Sequence, residues 1–93
     1  MAVTVYIPTP FRRATENHDR VETSAASVAE LLDRLETTYT GFRGLVRNDA
    51  GEVHQHVNIY VNSETIDALD GVATPLRDGD EVTILPALAG GRS

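Results

Sequence analysis

The chain has 93 residues, a formal charge of −6 and no cysteine. This length predicts one small domain with a modest core, in which a deep active site is difficult to build. The lack of cysteine excludes disulfides, thiolate metal sites and a cysteine nucleophile. The acidic charge argues against nucleic acid as a partner, since phosphate binding requires clustered basic side chains. We interpret the charge mainly as a solubility feature; the alternative is an acidic face that steers the chain toward a basic partner.

The N-terminal segment is typical of a strand and not of a signal peptide. Apolar side chains alternate with others over residues 2–7, which predicts a half-buried strand. Pro8 and Pro10 end this strand because proline cannot donate to a β-ladder. We predict a loop over residues 11–18, which are polar and rich in arginine, and a short second strand over residues 20–23. Because no apolar run is long enough to cross a bilayer, we expect no membrane partner and a cytoplasmic location.

A helix is predicted to begin after Ser27. Ser27 and Glu30 have the Ser-x-x-Glu spacing of a capping box, in which each side chain satisfies a backbone N–H group of the first turn. Glu30 and Arg34 are predicted to form an i,i+4 ion pair on the solvent side, and Gly41 is predicted to stop the helix. Apolar residues follow at helical spacing and form one stripe that we expect to pack on a sheet. These residues are Val28, Leu31, Leu32, Leu35 and Tyr39.

The second half of the chain supplies the remaining strands. A short helical turn is expected at residues 42–45. Residues 57–61 alternate again and predict a strand, and residues 66–69 suggest a short edge element. The Asp-Gly sequence within residues 77–80 predicts a turn. This turn leads into a last strand over residues 81–85, in which alternate side chains face opposite sides of the sheet.

The predicted order of elements is β-β-α-β-β-β, with a short fifth element. This order predicts an α+β fold, a mixed sheet with one main helix packed across it, in which the helical crossover places the last strand parallel to the first. That architecture is the β-grasp, or ubiquitin-like, roll. We expect one domain over residues 1–89 and a flexible tail over residues 90–93. The side chains expected to be largely buried are Val3, Val5, Ile7, Val28, Leu31, Leu32, Leu35, Ile59 and Val82.

The C-terminal segment adds little to a core. It contains a short apolar tail and then the adjacent pair Gly90 and Gly91. Glycine lacks a Cβ atom, so this backbone can lie extended in a channel too narrow for side chains. Such a tail suits a protein whose C-terminal carboxylate is itself the reactive group and enters the active site of another enzyme.

Two segments, joined to the glycine pair, carry a resemblance to a known family. Residues 75–82, with the strand and Gly90-Gly91 that follow, are similar to the closing signature of the MoaD/ThiS sulfur carriers. Residues 57–62 match the strand that precedes this signature. The chain resembles in particular the actinobacterial carriers of the CysO type, which serve cysteine biosynthesis. The resemblance covers nearly the whole chain and implies a protein cosubstrate, not an enzyme.

The resemblance implies a reaction at Gly91. In this family an E1-like adenylating enzyme of the MoeB/ThiF type uses ATP to adenylate the last glycine, and sulfur then replaces AMP to give a thiocarboxylate. The thiocarboxylate passes its sulfur to a synthase, such as one of the O-phosphoserine sulfhydrylase type or another sulfur-incorporating enzyme. No cofactor is expected on the chain itself, because ATP belongs to the activating partner. Gly90 would give the tail its conformational freedom, and partner proteins would bind Leu85, Pro86, Ala87, Leu88 and Ala89.

The chain continues beyond the glycine pair with Arg92 and Ser93. The Gly91 carbonyl is therefore tied up in a peptide bond and has no free carboxylate to activate. Either a protease of the JAMM zinc type removes the dipeptide, or the dipeptide is an expression remnant. Both readings predict activity only after Arg92 and Ser93 are removed.

Alternative functions remain open from the sequence. The same Gly91 would serve a ubiquitin-like modifier that is joined to lysine side chains, and a β-grasp interaction module would have the glycine pair by accident. The chain contains no lysine, so it cannot form lysine-linked chains on itself. Among sulfur pathways, those to cysteine, molybdopterin, thiamin and secondary metabolites are all compatible with the sequence.

Other chemistry-bearing residues have simpler interpretations. His54 and His56 are two apart, which on a strand places both on one face. No third ligand is near in sequence, so we predict solvated or hydrogen-bonded histidines and no metal. Asp78, Asp80 and Glu81 lack the spacing of a calcium loop and predict a solvated turn.

Two serines and two aromatic residues are further candidates for function. Ser24 and Ser27 have no base pattern nearby that would activate them as nucleophiles, and capping explains Ser27. Phe42 and Tyr60 are either interface aromatics or part of the core edge, and periodicity does not separate these alternatives.

Overall fold

The computed structural model describes residues 2–86 and contains a five-stranded mixed sheet with one α-helix. The strands are β1 Ala2–Tyr6, β2 Arg20–Ser24, β3 Val57–Val61, β4 Glu64–Thr65 and β5 Glu81–Pro86. The helix α1 is Val28–Thr38. Short 3-10 helices lie at Thr9–Thr15, Thr40–Phe42, Ile66–Ala68 and Gly71–Ala73. Within residues 2–86, no helix is long and apolar enough to span a bilayer.

The strand order in the sheet is β2-β1-β5-β3-β4. β1 and β5 are parallel neighbours, with Tyr6 opposite Thr83, and the other neighbouring pairs are antiparallel. A parallel pair needs a long crossover connection, which here contains α1. The predicted β-grasp architecture is therefore confirmed. Because β1 and β5 run the same way, both finish at the same end of the sheet, which we call the tail end.

The core lies between α1 and one face of the sheet. All nine side chains predicted to be buried are at most 2% exposed. Phe42 is fully buried, so of the two alternatives for this residue the core is correct. Tyr60 is half-buried on the other face of the sheet. The buried apolar cluster also contains residues that were not predicted: Phe11, Ala25, Val46, Val57, Val61, Ile66, Leu76 and Ile84.

The start of α1 is capped as the sequence predicts, with a shift of one residue. The Glu30 amide donates to Ser27 Oγ over 3.2 Å. In return Glu30 Oε1 accepts a hydrogen bond from the Ala26 amide at 2.6 Å, one residue before the cap. The Glu30 carboxylate is thus held at the helix start. The structure records no ion pair from it to Arg34 among residues 2–86, so the predicted i,i+4 pair is not formed there.

The end of α1 differs from the prediction. The helix stops at Thr38, and Tyr39 already has extended backbone, with φ −122° and ψ 97°. Gly41, the predicted stop signal, lies instead within the 3-10 helix Thr40–Phe42. The chain leaves the helix through extended backbone, so no left-handed glycine is needed. The chain then turns inward, and this turn buries Phe42 in the core.

The segment predicted as a loop over residues 11–18 is largely helical. It forms the 3-10 helix Thr9–Thr15, in which Phe11 and Thr15 are buried. Thr15 Oγ1 lies within hydrogen-bonding distance of the carbonyl oxygens of Arg12 and His18, at 3.3 and 2.9 Å. The apolar Phe11 and the satisfied Thr15 hydroxyl fix this polar sequence against the core, and neither effect produces a periodic pattern.

The region over residues 64–69 agrees in part with the predicted edge element. β4 has only two residues, and a 3-10 helix follows it directly. Ile66 is buried, whereas Leu69 is 37% exposed. The second apolar residue of this pair therefore lies on the surface.

Candidate functional site

The described part of the candidate site is the last strand, β5, which leads into the tail. Leu85 and Pro86 belong to this strand, where they lie opposite Asn58 and Val57 of β3. Val82 and Ile84 face the core, and Leu85 faces away from it and is 39% exposed. The alternation predicted for this strand is confirmed. The other predicted tail residues lie outside the described residues: Ala87, Leu88, Ala89, Gly90 and Gly91.

Proline within a strand requires an explanation, because it has no N–H group to donate. The Asn62 amide donates to the Glu81 carbonyl at 2.7 Å, so these two residues form a hydrogen-bonded pair of the β3–β5 ladder. Every second pair along the ladder is of this kind, which makes Val57 and Pro86 a non-hydrogen-bonded pair. Pro86 therefore costs the ladder with β3 no hydrogen bond, and the strand continues to the tail.

The sheet face around Leu85 is the one that α1 does not cover. On this face Thr83 lies opposite Tyr6 of β1 and Tyr60 of β3. Both tyrosines are half-buried, and the Tyr6 hydroxyl lies 3.3 Å from Glu81 Oε2, to which it donates. An exposed leucine beside two tyrosines combines apolar area with polar tips, which is typical of surfaces that contact other proteins. We call Tyr6, Tyr60, Thr83 and Leu85 the open sheet face.

The acidic turn at the opposite end of the sheet has a structural role. Asp78 Oδ1 accepts from the Ala2 amide at 2.9 Å, and Asp80 Oδ2 accepts from the Arg77 amide at 2.9 Å. Asp80 Oδ1 also accepts from Asn62 Nδ2 at 3.3 Å. These carboxylates thus close the turn by binding backbone and side-chain donors, in agreement with the interpretation as a turn. Within residues 2–86 no cluster of three or more metal-ligating side chains is present.

The two neighbouring histidines lie in the turn before β3 and not on a strand. Their rings stack with centroids 5.1 Å apart and planes 15° from parallel. His54 Nε2 lies 2.9 Å from the Gly44 carbonyl oxygen, which gives this ring a hydrogen-bond partner. The prediction of a hydrogen-bonded histidine is confirmed for His54.

No pattern in the sequence indicates the ion pairs of Arg47. This side chain contacts Asp33 at 2.7 Å and Glu36 at 3.0 Å, and it is 11% exposed. The hydrogen bond to Glu36, supported by the one to Asp33, raises the pKa of the Arg47 guanidinium, although partial burial opposes this. The two ion pairs tie the loop before β3 to α1. Asp33 and Glu36 are each more than ten residues from Arg47 in sequence, so no local pattern could have predicted these contacts.

The chain matches the ThiS family over residues 5–91. It is 43% identical over 93 residues to the sulfur carrier protein CysO of Mycobacterium tuberculosis, which covers 98% of this chain and 100% of that protein. It is 46% identical over 66 residues to small archaeal modifier protein 3 of Haloferax volcanii, 71% of each chain.

The solved structures agree with this assignment. The fold superposes with a TM-score of 0.88 on a chain of the Amycolatopsis orientalis BexX/CysO complex, at 38% identity, covering 96% of this chain and 99% of that one. The family match extends over far more than half of the residues and runs to Gly91. Sequence and fold therefore agree that this chain belongs to the ThiS family, with a sulfur-carrier or ubiquitin-like role.

Proposed function

We propose that this chain is a sulfur carrier whose Gly91 carboxylate becomes a thiocarboxylate that donates sulfur in biosynthesis. The observation that carries the proposal is the extent of the family match, which starts within β1, includes the rest of the β-grasp domain and ends at Gly91. The similarity to CysO along the full chain supports the same role. On this proposal the chain is a protein cosubstrate and not an enzyme.

The chemistry needs two steps at the Gly91 carbonyl. The carboxylate oxygen attacks the α-phosphorus of ATP and releases pyrophosphate, which gives an acyl adenylate. A sulfur nucleophile then attacks the carbonyl carbon, and AMP leaves with the bonding electrons. The resulting thiocarboxylate carries sulfur without a cysteine, which suits a chain that has none. ATP would be bound by an E1-like adenylating enzyme of the MoeB/ThiF type.

The geometry of β5 supports a tail that reaches into a partner. Pro86 is the last described residue of a strand that is held on both sides, by β1 and β3. Five further residues lead to Gly91, and an extended chain of that length spans about 17 Å. This reach suffices for the carboxylate to enter a channel while the domain stays outside. The exposed Leu85 and the open sheet face would then contact the rim of that channel.

The partners follow from the same scheme. A CysO of Amycolatopsis orientalis has been crystallised in a complex with BexX, which supports a protein partner for this chain. For this chain we propose an E1-like activating enzyme and a sulfur-accepting synthase, of the O-phosphoserine sulfhydrylase type or another sulfur-incorporating kind. A JAMM-type protease would remove Arg92 and Ser93 to free the carboxylate.

Intact-protein mass spectrometry tests the reaction. The full chain and a chain that ends at Gly91 are incubated with an E1-like enzyme, ATP and a sulfur donor. Exchange of oxygen for sulfur is expected only in the trimmed chain, because the full chain has no free Gly91 carboxylate. Gly91→Val in the trimmed chain should block the exchange, since a branched side chain does not fit a channel shaped for glycine. Thiolation of this variant at the wild-type rate would refute the role of the glycine pair.

A second function is favoured by one specific observation. Small archaeal modifier protein 3 is 46% identical to this chain over 66 residues, which supports a modifier that is conjugated through the same Gly91. Both functions share the adenylation step but differ in the acceptor. Cells that express a tagged chain would show higher-mass conjugates with lysine side chains if the modifier function is correct. Sulfur transfer with no conjugates would favour the carrier.

A further inference from the structure

The two ends of the sheet differ in the number of arginines that they carry. β1 and β5 finish at the tail end, and β2 begins there because Arg20 lies opposite Tyr6. The 3-10 helix Thr9–Thr15 follows β1 at this end and packs against the 3-10 helix Thr40–Phe42. These elements and the residues next to them place four arginines at the tail end: Arg12, Arg13, Arg20 and Arg43. The exposed carboxylates Glu16 and Asp19 lie at this end as well. The two turns at the opposite end carry mainly acidic residues: Glu64, Asp78, Asp80 and Glu81.

A surface pocket at the tail end is lined by arginines and neutral residues. Its lining consists of Thr9, Pro10, Arg12, Arg13 and Asn17. The polar groups of this lining are two guanidinium groups, a hydroxyl and an amide, and no carboxylate is among them. Four other pockets in the described part of the chain each contain at least one aspartate or glutamate. On a chain with a formal charge of −6, this pocket is therefore suited to an anion.

The pocket is held in shape before any ligand arrives. Arg12 Nε donates to the Ile7 carbonyl at 3.1 Å, which fixes the guanidinium beside the end of β1. The backbone amide of Asn17 donates to the Arg12 carbonyl at 2.7 Å, and Asn17 has a left-handed φ of 67°. A fixed arginine loses little conformational freedom when it binds, so its terminal N–H groups are available at low entropic cost. Arg13 next to it is exposed.

The register of the sheet places this pocket at the same end of the sheet as the root of the tail. Tyr6 lies opposite Thr83, so the continuation of β1 past Ile7 runs level with the last residues of β5. A protein that takes the tail into a channel must therefore approach the tail end of the sheet. Arginine binds carboxylates in a fixed fork geometry with two parallel hydrogen bonds. An acidic side chain at the mouth of the channel would contact Arg12 and Arg13 when the tail enters the channel.

We propose that the Arg12–Arg13 pocket is a docking site for a carboxylate side chain on the activating enzyme that receives the tail. This inference rests on the proposed function for the identity of that enzyme. The site orients the chain, because the arginines of the pocket face an acidic channel mouth while the carboxylates of the turn before β5 are repelled from it. Electrostatic steering of this kind acts on the association rate and is weakened by salt.

The test measures the association of the full-length chain with its E1-like enzyme by stopped-flow fluorescence at low and at physiological ionic strength. Arg13→Glu should lower the association rate constant at low salt by about tenfold or more, within the range that electrostatic steering supplies. Arg34→Glu is the matched control, since this exposed arginine lies on α1 away from the pocket and the charge change is the same. It should change the rate by less than about twofold. Arg13→Gln should give an intermediate rate. Thermal unfolding confirms that each variant is folded.

Several outcomes would overturn the docking site. Equal rates for Arg13→Glu and wild type would do so, and so would an equal loss in Arg34→Glu, which would show an effect of net charge alone. The site would be one for small anions if millimolar inorganic phosphate shifted the NMR signals of residues 9–17 while charge reversal left association unchanged. Thiolation is measured separately, by intact-protein mass spectrometry. A wild type that associates with the expected charge dependence but gains no sulfur would retain the docking site and reject the proposed chemistry.

Discussion

The two ends of the sheet differ in how their polar groups are used. At the end where β5 begins, Asp78, Asp80 and Asn62 bind backbone amides and close the turns. At the tail end, Leu85 is 39% exposed and Arg13 lies on the surface. A carboxylate that already accepts two hydrogen bonds within its own chain has a structural role. The side chains to test for partner binding are therefore those at the tail end.

The core supports both ends, so a core truncation should have the largest effect on stability. Leu32 is fully buried in the cluster between α1 and the sheet. Leu32→Ala should lower the free energy of unfolding by about 2–5 kcal/mol, because it removes apolar contacts and leaves a cavity. Urea denaturation followed by circular dichroism measures this. A loss below about 0.5 kcal/mol, the usual effect of a surface substitution, would show that the core is not where the structure places it.

The end of the sheet where β5 begins should show the next largest effect on stability, at Asn62. This residue has a left-handed φ of 61°, and its Oδ1 accepts from the Glu81 amide at 3.1 Å. Asn62→Ala loses the side-chain bonds and also adds the strain of a left-handed alanine, which should cost about 1–3 kcal/mol in the free energy of unfolding. Asn62→Gly is the matched control, because it loses the same bonds without the strain. If both variants unfold at the same urea concentration, backbone strain has no part in the effect.

The helix cap at Ser27 should contribute less to the free energy of unfolding than the turn at Asn62. Ser27 Oγ accepts one hydrogen bond from the Glu30 amide at 3.2 Å. Ser27→Ala should destabilise the domain by about 1 kcal/mol, as is usual for the loss of a cap. Thermal unfolding of Ser27→Ala and Ser27→Asp separates the cap from other roles, since aspartate also caps helices and should retain most of the stability. A loss in Ser27→Asp as large as that in Ser27→Ala would contradict the capping role.

The fold was predictable where the signal is local. The spacing of apolar residues after Ser27 identified α1, and alternation identified the strands around Val5, Ile59 and Val82. The order of these elements was then sufficient for the β-grasp topology. The same kind of signal placed Leu85 on the side of β5 that faces away from the core, and the structure agrees.

The features that the sequence did not predict depend on contacts between distant residues. Phe11 anchors a 3-10 helix in a polar segment, and Phe42 draws the chain inward after α1. Arg47 reaches back to α1 from a loop. The pocket at Arg12 and Arg13 is a further feature of this kind, because only the fold brings it to the same end of the sheet as the root of the tail. The reactive end of the candidate site, at Gly90 and Gly91, was identified from composition and resemblance and stays a prediction.

The smallest effect on stability, with a large effect on function, is expected at Leu85. Its side chain lies on the open sheet face and is 39% exposed, so Leu85→Ala removes little buried area and should change the free energy of unfolding by less than about 0.5 kcal/mol. A leucine that becomes fully buried against a partner contributes about 1.5–3 kcal/mol. The variant in the chain that ends at Gly91 should therefore lower kcat/KM for thiolation by about tenfold, mainly through KM, because the reacting carboxylate is unchanged.

A matched control separates a contact made by Leu85 itself from a general effect of substitutions on this face of β5. Thr83 lies on the same face, two residues earlier, between Tyr6 and Tyr60. Thr83→Ser makes a small change there and should leave kcat/KM close to wild type. A Leu85→Ala chain that is thiolated as efficiently as wild type would place the partner elsewhere. A loss of stability of several kcal/mol would show that Leu85 belongs to the core, and the two ends of the sheet would then not differ as the structure indicates.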